Sequence, residues 1–187
     1  MFINQFGISE GKIEVLGNRF VMLYASDLLY LQEIDESKMY AFIKGSSKKD
    51  LSELVNHAKV YKGLKNESVK NIASLSQKIG KSDEGVVRTL QELFELYGLG
   101  KMRITNLDNK NKKASIEILD SAIAFAKLKS GKSKKPVCTV TAGILAGIFS
   151  FIFKADVDCI EKKCRASGNS TCSFVVERKE IFKKSKK

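Results

Sequence analysis

The run Val137–Phe153, VCTVTAGILAGIFSFIF, holds 17 residues without a charge, between Lys134-Lys135 and Lys154. Such a run leaves few folds open. A helix that is apolar on every side has to be covered by lipid or by protein, because it has no face for water. Seventeen residues reach the lower edge of spanning length. Gly143-x-x-x-Gly147 also has the spacing that lets membrane helices approach closely. Against a span stand Cys138, Thr139 and Thr141, and nothing else in the chain prepares for a bilayer. The run therefore reads as a helix enclosed within a domain, with no membrane span.

The rest of the chain supplies what would enclose it. Residues 19–24 are β-rich. Ser26-Asp27 is a cap signal for a short helix through Glu33. Apolar positions from Met39 to Ala58 fit one interrupted helix or two between Lys38 and Tyr61. Ile72, Leu75 and Ile79 suggest another helix, and Ser82-Asp83-Glu84 opens one that Gly98 and Gly100 end. After Gly98 the texture changes. Met102–Leu107 and Ala114–Leu119 read as strands around a polar turn, and Ser121–Lys129 as a short helix. Cys159–Cys164 and Cys172–Val176 then read as a second hairpin around Ser167-Gly168-Asn169. The expected class is α+β with an antiparallel sheet and a helical N-terminal half.

All four cysteines fall between Cys138 and Cys172, and Glu161 lies among them. Thiolates clustered with a carboxylate point to a metal ion. A hairpin centred on Gly168 sets Cys164 opposite Cys172, with Cβ atoms about 4.5–5.5 Å apart. Cys138, at the start of the apolar helix, is a candidate third ligand, since a helix N-terminus favours a thiolate. Strict alternation from Cys164 puts Glu161 and Cys159 on the wrong face. A bulge or a helical turn before Cys164 must bring one of them inward, and spacing does not say which. Three other readings compete: buried apolar thiols, a Cys164–Cys172 disulfide, and a redox centre without a Cys-x-x-Cys.

The same residues carry a resemblance. Glu161-x-x-Cys164-x-Ala166-x-Gly168-x-x-x-Cys172-x-Phe174 resembles the C-terminal signature of the 4-vinyl-reductase domain family. Tyr97-Gly98-Leu99-Gly100, Ser121-Ala122-Ile123-Ala124, and Cys138 followed by Ala142–Gly147 extend it upstream, loosely over residues 19–176. The resemblance implies an antiparallel sheet flanked by helices that enclose an apolar pocket. It implies a structural zinc ion held by Cys138, Glu161, Cys164 and Cys172, as in the aromatic-sensing members. Cys159 is then the spare thiol, or replaces Glu161 as fourth ligand. Family members also accompany bacteriochlorophyll synthesis and, distantly, occur in vesicle-tethering subunits.

The function expected is a small-molecule-binding or sensing domain for an apolar or aromatic ligand. Phe94, Tyr97, Phe125 and Phe149 are candidates for the pocket lining, and the other aromatics, including Phe42 and Phe151, for the core. The resemblance also implies a homodimer through residues 1–65 of a single 1–180 domain, with 181–187 as a basic tail. With no room for an output domain in 187 residues, the signal passes to a separate partner. The alternatives are a reductase or accessory protein for vinyl tetrapyrroles and a non-enzymatic assembly subunit. No nicotinamide or flavin fingerprint supports the reductase; Gly98-Leu-Gly100 lacks the context of one. His57, the lone histidine, reads as a surface or half-buried residue. Asp156 and Asp158 read as caps of a strand start rather than as acid–base groups. Residues 121–187 carry 15 basic and 5 acidic side chains, most of the net +12. With no accompanying motif, this surplus reads as solubility rather than as a nucleic-acid face. The absence of a secretory signal and the clustered thiols suit the cytoplasm.

Overall fold

The computed structural model describes residues 6–9, 12–15, 18–60, 91–92, 94–95 and 97–178, with side chains from residue 21 onward except 54–60. The helix expected around Ile72–Ile79, most of the one from Ser82, and the tail 181–187 lie outside the described residues. So does the side chain of His57.

Strands β1 (Phe6–Ser9), β2 (Lys12–Val15) and β3 (Asn18–Phe20) form a small antiparallel sheet. Regular pairing stops at Phe20, so only part of the expected β-rich segment 19–24 is strand. Helix α1 runs Ala25–Ile34, with Tyr24 at its N-cap. The Asp27 carboxylate accepts the Tyr24 N–H at 3.1 Å, so this acid caps from inside the first turn. Helix α2, Glu36–Val60, is one helix of 25 residues, uninterrupted at Gly45. Asp35 starts it by accepting the Lys38 N–H at 2.9 Å.

The second sheet contains β4 (Lys101–Asp108), β5 (Lys113–Leu119), β6 (Val157–Lys163) and β7 (Cys172–Arg178) in the antiparallel order β4-β5-β7-β6. Helices α3 (Ala122–Lys129) and α4 (Thr139–Phe153) lie between its two hairpins in sequence. One face of the sheet is the core: Ala114, Ile116, Ile118, Cys172, Phe174, Val176, Val157 and Cys159 are buried at alternate positions. The α+β class and the helical N-terminal half are as expected.

Helix α4 is the uncharged run, and it is enclosed. Val140, Leu145, Ala146, Phe149, Ser150 and Phe153 are buried. The Ser150 hydroxyl donates to the Val157 carbonyl at 3.3 Å and accepts the Val157 N–H at 3.2 Å, fixing the start of β6. The two glycines face α2. A Cβ on Gly143 would lie 3.1 Å from Ile43, and one on Gly147 would lie 2.5 Å from the Lys44 carbonyl oxygen. The small-residue pair thus serves an intramolecular helix crossing. Among the described residues, no helix is long and apolar enough to cross a membrane.

Phe94, Phe149 and Phe153 are core, whereas Phe42, Tyr97 and Phe125 are 70, 45 and 49% exposed. For Phe42 the reason is periodicity. The α2 stripe that meets the core passes through Tyr40, Ile43, Ser47 and Leu51, and Phe42 falls beside it.

Candidate metal centre

Three elements bring the cluster together. Cys138 is the N-cap residue of α4. Glu161 lies on β6. Cys164 precedes a single turn of 3-10 helix, Arg165–Ser167, and Cys172 opens β7. The turn closes through Gly168, whose φ of 96° suits glycine.

The register between β6 and β7 explains how a carboxylate joins the sulfurs. Cys159 pairs with Val176 and Glu161 with Phe174, but Lys163 pairs with Ser173, one step out of phase. The bulge at Lys162 allows Glu161 and Cys164 to share a face that strict alternation would deny them. Residue spacing requires such a device without locating it.

The Sγ atoms of Cys138, Cys164 and Cys172 form a near-equilateral triangle with sides of 3.8, 3.9 and 3.9 Å. All three thiols are free and buried. A disulfide needs about 2.05 Å between sulfurs, so the triangle is far too wide for one. A tetrahedral ion with metal–sulfur bonds of about 2.3 Å sets its sulfurs about 3.8 Å apart. The triangle matches that edge. A carboxylate oxygen of Glu161 completes the set, with all four atoms within 4.8 Å of one another. Glu161 Oε2 accepts the Cys138 N–H at 2.8 Å, while buried Oε1 has no hydrogen-bond partner. An orphaned carboxylate oxygen beside three sulfurs is the donor set of a thiophilic divalent cation. Cys159, also buried, is not part of the cluster. Between the two candidates for fourth ligand, the fold brings in Glu161.

Electrostatics make the same point. Hydrogen bonds from Cys138 and Cys172 pull the Cys164 thiol down, while the same sulfur neighbours, then burial, push Cys138 up. Burial pushes the Glu161 carboxyl up to about 7, against the opposing Cys138 N–H. Without a cation, one sulfur carries the charge and its neighbours keep their protons. A cation allows all of them to ionise.

Outer contacts hold the ligands in place. The Arg165 N–H donates to Cys172 Sγ at 3.3 Å, and the buried Ser121 hydroxyl lies 3.5 Å from Cys138 Sγ. Ser121 also caps α3, as its sequence position suggests. Gln32, only 1% exposed on α1, straddles Cys138: its Nε2 donates to the Val137 carbonyl, and its Oε1 accepts the Val140 N–H at 3.2 Å. Sequence reasoning missed Gln32, because its partners lie more than 100 residues away. Replacing Gln32 with Ala strands two buried backbone groups at about 1–3 kcal/mol each. We expect the melting temperature to fall by at least about 4 °C, at about 2–4 °C per kcal/mol for a chain of this size. A calorimetric scan checks this.

A cleft of about 470 Å³ adjoins the cluster. Ser37 and Tyr40 of α2 form one wall, Thr139 and Ala142 of α4 another, and Cys159 and Glu161 of β6 a third. The Tyr40 hydroxyl accepts the Cys159 N–H at 2.9 Å and donates to Asp158 at 3.2 Å. Lys44 pairs with Asp156 at 2.8 Å and Asp158 at 2.7 Å, tying α2 to β6. The two aspartates thus hold elements together beside the cleft. Phe94, Tyr97, Phe125 and Phe149 are not among its lining residues.

A comparison of the chain with curated proteins gives no match. Among solved structures, the phenol-responsive sensory domain of the transcription activator PoxR, with phenol, overlays with a TM-score of 0.67 at 17% identity. The overlay covers 96% of this chain and 87% of that one, so the two share a fold. A vinyl-4-reductase family protein from Methanocaldococcus jannaschii overlays at 0.40, with 19% identity over 69% of this chain and 92% of that one. A trafficking protein particle complex subunit 3 from Naegleria fowleri, covalently bound to palmitic acid, overlays at 0.46. Its identity is 14% over 81% of this chain and 89% of that one. Residues 122–178, which contain the whole cluster, match the 4-vinyl-reductase domain, so this stretch belongs to the family that its signature resembles.

Proposed function

We propose that the protein is a small-molecule sensing domain whose ligand cleft is braced by a structural zinc ion. The observation that carries this reading is a shared wall: Cys138 and Glu161 belong both to the four-ligand cluster and to the lining of the cleft. Four protein donors close the coordination of zinc and leave no position for a reacting water, so its role is structural. The ion would clamp the β6–β7 turn to the start of α4. The cleft wall beside it would then be preformed, which reduces the ordering cost of binding.

The cleft volume is that of a site for a small organic molecule. The PoxR overlay supports an aromatic ligand of the phenol kind. Dimerisation through residues 1–65, and from there a signal to a separate partner, completes the reading. It is supported by apolar side chains turned to solvent on this segment: Val21 is 82%, Met22 73%, Tyr24 80% and Ile34 81% exposed.

Titration calorimetry with phenol and alkylphenols on zinc-loaded protein tests it. Saturable binding is expected, and Ser37→Trp, which fills the cleft from an exposed α2 position, is expected to abolish it at unchanged zinc content. Equal binding by Ser37→Trp would remove the cleft from the proposal.

A further inference from the structure

The positive charge of the last third gathers at one end of the fold. The segment from Lys127 to Lys135 contains five lysines and no carboxylate. It lies against the turn after β6: the Ser133 N–H donates to the Ala166 carbonyl at 2.8 Å, and the Ser167 hydroxyl donates to the Lys135 carbonyl at 3.0 Å. That contact sets Lys129, Lys132, Lys134 and Lys135 beside Lys162, Lys163 and Arg165. The carboxylates near this end are already engaged. Glu33 pairs with Lys127, Glu36 with Lys135 and Asp120 with Arg165. Lys132, Lys134, Lys162 and Lys163 are exposed and have no carboxylate partner among the described residues.

The patch also has almost no apolar content. Among residues 122–178, the large apolar side chain exposed to solvent is Phe125, and Lys129 overhangs its ring at 4.9 Å. Protein interfaces concentrate aromatic residues at their centre and are poor in lysine. Membrane-surface binding adds apolar insertion to charge. A lysine surface without either feature fits a partner whose contact face is itself a line of phosphates.

We infer that this end of the domain is a docking surface for the phosphate backbone of nucleic acid, without base readout. This does not depend on a ligand in the cleft or on zinc. If the four unpartnered lysines each neutralise one phosphate, log K falls with log salt at a slope of about −3.6, and a fourfold rise in salt weakens binding about 150-fold.

The test is fluorescence anisotropy of the full chain with a labelled DNA duplex of about 20 base pairs, from about 50 to 200 mM salt. The variant K132E/K134E/K162E/K163E is compared with K48E/K49E/K110E/R178E, which makes the same charge change away from the patch. The patch variant is expected to lose binding and the comparison variant to keep most of it. The loop variant K132E/K134E, remote from the strand positions, is expected to lose at least about tenfold and decides the matter if the fourfold variant misfolds. Equal losses in both fourfold variants, or no binding at the lowest salt, would overturn the inference. Tighter binding to phosphatidylserine vesicles or to polyglutamate at equal anion concentration would overturn it as well, assigning the patch to lipid or to an acidic protein.

Discussion

Chelation of protein purified under reducing conditions is expected to lower its melting temperature by about 10 °C. A ligand present at about 1,000 times its dissociation constant stabilises the folded state by about 4 kcal/mol. At about 2–4 °C per kcal/mol, that gives a shift of about 8–16 °C. Structural zinc binds far more tightly than this, so the figure is a floor. The expectation follows from position. The cluster joins the start of α4 to the β6–β7 turn, and few other buried contacts hold that turn closed. Serine at 138, 164 or 172 is expected to reproduce the loss and to reduce the zinc content. Cys159→Ala removes a buried thiol outside the cluster, so it should lower stability by about 1 kcal/mol at full zinc occupancy. Full melting stability in Cys164→Ser, or stoichiometric zinc in the Cys138→Ser/Cys164→Ser double variant, would refute the assignment.

The pH dependence gives a second sign to check. With the metal removed, burial holds the Glu161 carboxyl up at about 7, against an ordinary 4.5. The folded chain then keeps a proton that the unfolded chain releases between those values, so metal-free stability falls as pH rises through that window. The loaded protein should show the reverse trend, because protons compete with the cation for the same atoms. Glu161→Gln is expected to flatten the metal-free profile.

How far the sequence could be read depended on the range of the interactions involved. The signature around Cys164 and Cys172 is local, and local geometry sets it: a hairpin, a glycine turn and a bulge are settled by neighbouring residues. The uncharged run was legible for a similar reason, since its composition allows few surroundings. Gln32 gave no signal, because a single amide on a short helix follows no period and its partners come from another part of the chain. Phe42 misled for a related reason. At the closest approach of α2 to α4 the stripe is occupied by Ser47, so the most apolar residue of the segment is not the one that faces inward. The cleft joins α2, the start of α4 and β6, three segments whose meeting no spacing rule encodes. Aromatic residues were therefore plausible lining candidates on chemistry and fell elsewhere on geometry.

The crossing of α2 and α4 can be tested by a sign reversal among three glycines. In an exposed helix interior, glycine to alanine stabilises by up to about 1 kcal/mol, because the unfolded chain loses freedom. Gly45, inside α2 with nothing within 4 Å of where an added methyl would sit, should show that gain. At Gly147 the same methyl would lie 2.5 Å from the Lys44 carbonyl oxygen, 2.8 Å from Ser47 Cβ and 3.0 Å from the Lys48 nitrogen. Two of these three atoms are backbone, so relief requires the helices to separate, and overpacking of this kind costs about 1–3 kcal/mol. Gly147→Ala is therefore expected to destabilise despite its better helix propensity, and Gly147→Leu to do so more strongly. Gly143→Ala should fall between, since its contacts begin at 3.1 Å and two of the three are to the Ile43 side chain, which can yield. Urea denaturation of the three alanine variants gives the order directly. If Gly147→Ala were as stable as Gly45→Ala, the close approach of the two helices would be wrong. The wall that α2 contributes to the cleft would be lost with it, because Ser37 and Tyr40 are carried by that helix.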